Sequence, residues 1–499
     1  MMNDVEANGS YREYEEPKPG FLADLFEVDI RSLAIFRVAI GLLILADLGN
    51  RLPILEMFYT DEGILPRELA QAYLGEGFWS LYWIDGSLAF TRVLFAFTAI
   101  SAIAFTVGFN TRLMNVICLI LVSSLQVSNP LVLTGGHIEM RLLLFWSMFL
   151  PLGAVWSVDA RLERERPPVT YRLTSVATMA ILLQVASIYF LSGIAKLNED
   201  WYSGRAVEIV LGLEMFVKPM GETLRQYPGF LKFVTYATLV TELIGPVLMF
   251  LPKINKFSRG MMMAIFWSMH IAIWLTMSIG IFSLMAMAAW LVFVPYQFWA
   301  IWNRHQAEPP STMSFAQTLP QLFGSILCAA ALVYVVLLSV ANFNKENSTW
   351  FTQDMRRIGN ATLIVQEFRL FGRPPADSPM FEYQAKLTDE TEVDIFKEMM
   401  AKSNNPDASV YQYFSTQHWR RIHSNLLAEP NQPPTDVVNR IRDRLLEQIV
   451  HRWNQHHDEN QAIATAALNC YLRSIELNQQ WGEPRKEVWA TWSKDTTTE

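Results

Sequence analysis

Residues 184–204 read QVASIYFLSGIAKLNEDWYSG. The stretch opens as the end of an apolar helix and finishes as a polar, turn-like segment, with Lys196 at the changeover. Apolar residues run back from it to about position 174, which at 1.5 Å per residue is enough to cross a hydrocarbon layer of ~30 Å. Lys196 then stands near the bilayer surface, with Asn198, Glu199, Asp200 and Trp201 just beyond it. A lysine there is either a snorkelling anchor or a group placed to lose its proton and take one from a substrate.

The same pattern recurs along the chain. Of 499 residues 51% are hydrophobic, and 18% are charged, against about 25% in an ordinary soluble domain. Further apolar runs lie near 32–50, 88–108, 112–131, 138–157, 230–251, 259–278, 280–302 and 318–341. The stretch 261–302 is too long for one crossing, and Ser278 and Gly280 mark its break. The expected fold is an all-α polytopic membrane bundle of about nine transmembrane helices with a small C-terminal extracytoplasmic α+β domain. Its parts are a cytoplasmic tail (1–31) with an interfacial helix at 21–30, a membrane domain (32–302), a linker with the last span (303–341), and the outer domain (342–499). The first span reads as an uncleaved signal anchor. In the outer domain, 362–371, 381–387 and 392–396 read as strands, 435–455 as a helix, and 461–476 as either.

Charge sets the expected orientation. With the N-terminus inside, twelve Lys and Arg fall on the inner segments and eight on the outer ones, counting Arg92 and Lys232 at span ends, in keeping with the positive-inside rule. An odd number of spans then puts residues 342–499 outside, and the cell (inner) membrane is the expected location. Lys196 and His137 share the outer side. A net charge of −8 without a basic patch argues against nucleic acid. There is no P-loop, HExxH or CxxC, so no metal or nucleotide motif. Three scattered cysteines make no disulfide framework.

Ionisable residues at or within spans are Arg37, Asp47, Arg92, His137, Glu139, Arg141, Lys196, Glu242 and His270. Such groups are costly in lipid and either pair internally or serve a site.

Three segments together resemble the vitamin K-dependent gamma-carboxylase and its bacterial relatives, the HTTM (horizontally transferred transmembrane) domain family. They are YFLSGIAKLNEDW (189–201), GGHIEMRLLLF (135–145) and SIGIFSLMAMA (278–288), the last with His270 upstream; AIFRVAIGLLILADL and FYTDEGILPR also look typical of the family. The likeness covers about residues 30–302, with the segments in family order. It implies a reduced quinone, vitamin K hydroquinone-like, as cofactor, with O2 and CO2 as co-substrates. In that chemistry a lysine deprotonates the quinol, the anion reacts with oxygen to become a stronger base, and this base removes a γ-proton from a glutamate that then takes up carbon dioxide. Lys196 matches the proton-abstracting lysine and His137 the histidine that assists near the quinone. His270, Arg141 and Glu242 are expected to line or brace the cavity. The partners implied are membrane lipid and a peptide or protein substrate at the outer face. The chain departs from the carboxylase in having Ala195 where that enzyme has the first of two tandem lysines, and 342–499 does not resemble its outer domain. The other reading is a non-catalytic membrane maturation factor or a lipid- or peptide-binding scaffold. A transporter would often show inverted repeats, and the sequence has no convincing one.

Overall fold

The computed structural model describes residues 21–162, 171–252, 254–302, 319–343, 348–366, 371–400, 414, 416–427, 434–475 and 482–494. A short helix α1 (Phe21–Phe26) and strand β1 (Val28–Asp29) lead into α2 (Ile30–Arg51), where the Asp29 carboxylate caps the N–H of Arg31. There follow α3 (Leu88–Val107), capped by Ser87 and ended by left-handed Gly108, α4 (Thr111–Ser128), α5 (Gly135–Ser147), strand β2 (Arg172–Leu173) and α6 (Val176–Ala195). Beyond Lys196 lie α7 (Pro228–Leu248), α8 (Asn255–Thr276), α9 (Phe282–Ala289) and α10 (Leu319–Phe343).

Among the described residues six helices are long and apolar enough to cross a membrane: Ile30–Tyr59, Leu88–Val107, Thr111–Ser128, Val176–Ala195, Pro228–Leu248 and Leu322–Asn342. The other three expected spans differ. α8 has the length, 22 residues, but Arg259, Ser268 and His270 dilute its apolar character. α5 has 13 residues, about 20 Å at 1.5 Å per residue. The apolar helical run Phe282–Phe293 is shorter still. Each of these two stops near a proline, Pro151 and Pro295, where a helix loses a backbone donor. Their irregular continuations pack against protein: Leu152 and Val294 are buried, the condition under which non-helical backbone is tolerated at membrane depth.

The helix ends are knit by two sets of contacts. At one end β1 pairs with β2. There Arg259 donates to the carbonyls of Glu27 (2.7 Å) and Leu25, and Ser32 Oγ donates to the Val294 carbonyl at 2.9 Å. Arg37, fully buried, donates to the carbonyls of Leu152 and Trp156, each at 2.7 Å. It thereby holds the turn that follows α5. At the other end Val217 bridges Met277, and the C-terminal domain is seated there. Asn425 donates to the Leu131 carbonyl (2.7 Å), Trp79 to that of Ala361 (2.7 Å), and Asn198 and Trp201 to those of Gly372 (2.7 Å) and Phe371 (3.0 Å).

That domain carries α11 (Gln353–Thr362), α12 (Gln417–Asn425) and α13 (Asp436–His456) with an antiparallel sheet β4 (Glu392–Asp394), β3 (Asp377–Leu387), β5 (Ile463–Ser474), β6 (Arg485–Ser493), in that spatial order. Of the expected strand at 362–371, the described residues form none: Thr362 ends a helix and 363–366 are irregular, while 367–370 lie outside the described residues. Residues 392–396 begin as strand and turn helical at Ile395, and within 461–476 the stretch Ile463–Ser474 is a strand. Ile441, Leu445, Ile449 and Trp453 of α13 are buried, as their helical spacing requires.

Two histidines of this domain, His418 and His423, are 5% and 0% exposed. Burial lowers their pKa values from 6.5 to about 3 and about 4. The unfolded chain binds these protons at higher pH than the folded one, so the stability they carry is complete above 6.5 and is lost as pH falls below it, at roughly 1.4 kcal/mol per pH unit per histidine. The melting temperature of the C-terminal domain, followed by tryptophan fluorescence, is expected to be flat above neutral pH and to fall on acidification. His418→Asn combined with His423→Gln should flatten that slope; an unchanged slope would dismiss both histidines as its source.

Candidate functional site

Lys196 is the C-cap of α6, and the helix end turns it inward rather than to the interface. It is 3% exposed. Its Nζ donates to Ser192 Oγ at 2.6 Å and stands 2.6 Å from Glu242 Oε2, with the Trp201 ring centroid at 5.2 Å. Two backbone features bring Glu242 this close. Gly193 lets α6 approach α7 so nearly that an added Cβ would sit 3.1 Å from the Glu242 carbonyl carbon. Pro246, inside α7, has no N–H to offer the carbonyl of Glu242 four residues back.

The pair faces a cavity of about 1060 Å³. Ile138, Ile188, Leu211, Leu231 and Phe282 give it apolar walls, and Ser192, Tyr189, His270 and Trp201 are its further polar or aromatic members. The lining residues Phe230, Ile271 and Leu275 are also 51%, 44% and 39% exposed, so the cavity reaches the apolar flank of the bundle between α7 and α8. The His270 Nε2 atom lies 2.8 Å from the Tyr189 hydroxyl, which accepts from Trp290 Nε1 at 2.9 Å. His270 Nδ1 is buried with no partner among the described residues. The chamber thus combines apolar walls with one ion pair, the Arg421 side chain and one spare histidine nitrogen, a combination suited to an amphiphilic ligand.

Of the five residues singled out in the sequence, the structure brings together Lys196, Glu242 and His270. His137 and Arg141 are not among the cavity's lining residues. His137 is the third residue of a capping box: the Thr134 N–H donates to its Nδ1 at 2.9 Å. With Nδ1 accepting, Nε2 carries the proton and donates to Asp47 Oδ1 at 3.0 Å. Asp47 also accepts from Arg51 Nε at 2.8 Å, and Arg51 reaches the Tyr59 hydroxyl. Since Thr134 and Gly135 line the cavity, His137 shapes it through the helix start rather than from inside. Arg141 donates to Gln126 (3.4 Å) and to the Val365 carbonyl (3.2 Å), bracing the segment that leads into the C-terminal domain. Ser192 was not singled out, although its position four residues before Lys196 is a legible helical neighbour. Arg421, also in the lining, has no local signal at all.

Removing one member of a buried charged set costs about 3–5 kcal/mol, because its partner is left uncompensated. Asp47→Asn is therefore expected to lower the melting temperature of the purified protein in detergent strongly, whatever its activity. Wild-type melting in this variant would contradict the structural role given to the Asp47–Arg51–His137 set.

A family model for the HTTM domain matches residues 26–299, which takes in every spanning helix except α10 and leaves the C-terminal domain outside. No curated protein and no solved structure matches the chain. The matched region holds the Lys196–Glu242 pair, its cavity and the Asp47 set, and the chain is a membrane protein that belongs to the HTTM domain family.

Proposed function

We propose that this protein is a quinol-dependent protein-modifying enzyme, a carboxylase in the sense of the resemblance above, working at the outer face of the cell (inner) membrane. The observation that carries the reading is Lys196 paired with Glu242 at 2.6 Å on the wall of an apolar cavity. Two opposite charges taken out of water are costly. Moving the proton from Lys196 Nζ to Glu242 leaves two neutral groups and a free lone pair on Nζ, which is what a general base needs. A base must stand within hydrogen-bond reach of the proton it takes, and Ser192 Oγ holds Nζ in place at 2.6 Å. Tyr189 and Trp290 orient His270 from one side, leaving Nδ1 as the remaining group to meet a ligand oxygen. A reduced quinone, when bound, would supply the acidic hydroxyl and the oxygen chemistry. Trp201 and the C-terminal domain limit water at the outer end. The acceptor is a peptide or protein carboxylate.

The topology that goes with this reading is nine passes with the N-terminus inside and the C-terminal domain outside. It is supported by the two separate sets of end contacts and by the excess of positive charge on the inner segments. The family's alternative role, a non-catalytic maturation factor or scaffold, is favoured by one observation: Lys196 is well satisfied by Glu242 and Ser192, as a purely structural lysine would be.

Purified protein in lipid, given reduced quinone, oxygen and bicarbonate, should form quinone epoxide. Lys196→Ala and Lys196→Arg should both abolish it, since guanidinium stays protonated. Absence of epoxide from folded wild type with several quinones and candidate acidic peptides would favour the scaffold reading. A tag placed after residue 499 should be reachable from outside intact cells; a protected tag would refute the orientation.

A further inference from the structure

The cavity is not closed by the bundle alone. Arg421, on α12 of the C-terminal domain, lines it. Its guanidinium lies 5.3 Å from the Phe216 ring centroid, its Nε is buried without an acceptor, and it has no carboxylate partner among the described residues. Its helix is firmly seated. Arg420 donates to Ser278 Oγ at 3.0 Å, Asn425 to the Leu131 carbonyl, and Trp419 packs edge-on against Phe58 with centroids 4.8 Å apart. Burial lowers the Arg421 pKa to about 10, which leaves it charged at neutral pH.

Among the described residues, the charged members of the lining are thus Lys196, Arg421 and one carboxylate, Glu242. One positive charge is left over inside an otherwise apolar chamber. Arg421 is partly buried, and a charge turned to an apolar chamber favours a counter-ion there; the chamber reaches the apolar flank between α7 and α8. We propose that Arg421 is the anion-holding residue of this cavity, and that its ligand is a lipid-phase amphiphile carrying a single negative charge on its head. Two sources share that chemistry, a fatty carboxylate of the membrane and the ionisable phenol of a reduced quinone. The inference rests on the reading of this cavity as the ligand site but needs no turnover, so a catalytically silent protein still tests it.

The experiment uses the full-length protein in detergent and two fluorescent probes, cis-parinaric acid and its uncharged methyl ester, at a pH where the acid is ionised. Wild type should bind the acid about tenfold more tightly than the ester, the scale of one hydrogen bond to a charged group. Arg421→Gln and Arg421→Met should erase that preference while keeping ester affinity, which reports the fold, and Arg421→Lys should restore part of it. No acid preference in wild type, or an undiminished one in both neutral variants, overturns the proposal. Displacement of the bound acid by oleate alone assigns the anion to a fatty carboxylate. Displacement by a reduced naphthoquinone as well assigns it to the quinol; both keep Arg421 in its role.

Discussion

Charge buried in a medium that cannot solvate it is the constraint on which this structure depends. Arg37, Asp47, Arg51, Lys196 and Glu242 each have a counter-charge or a set of carbonyls, and each such arrangement fixes a place where the chain must turn or two helices must meet. Arg37 holds the turn after α5 through two carbonyls. Asp47 ties α2 to the start of α5 through His137, and to its own helix end through Arg51. Lys196 and Glu242 tie α6 to α7. These contacts are directional where packing among aliphatic side chains is not, so they set register within a bundle whose apolar surfaces are otherwise interchangeable.

The pairs also show why a lysine at a helix end need not be an anchor. A snorkelling lysine reaches for water. Lys196 turns back over the last turn of its own helix to Ser192 and across to Glu242. It stays buried because the segment beyond it is covered: Trp201 and Asn198 are held by the backbone of 371–372. The C-terminal domain therefore does more than sit on the bundle, since its contacts close that end of the chamber.

Much of this was legible in the chain and some was not, for physical reasons. Long apolar runs give their helices away because length and composition suffice, and the break at Ser278 and Gly280 is where α8 ends and Gly280 takes a φ of +71°. The runs 138–157 and 280–302 read as full-length helices because composition does not register that their helices stop before Pro151 and Pro295. The first part of the expected strand 362–371 differs because Leu363 and Ile364 are buried in irregular chain rather than in a ladder. Lys196, Glu242 and His270 were found as polar residues in apolar surroundings, and they do converge. His137 carried the same signal but spends its two nitrogens on a helix cap and on Asp47. Arg421 was invisible, because in a polar domain an arginine is unremarkable until the fold lays it against a chamber.

The chamber's opening between α7 and α8 has a consequence for how any occupant is counted. A molecule dissolved in the bilayer reaches the chamber by diffusing in two dimensions, so occupancy follows its mole fraction among the lipids rather than its amount per litre of water. Diluting the protein into more lipid empties the chamber even when the total amount of the molecule is unchanged, and an apparent affinity measured in one lipid or detergent excess does not carry over to another.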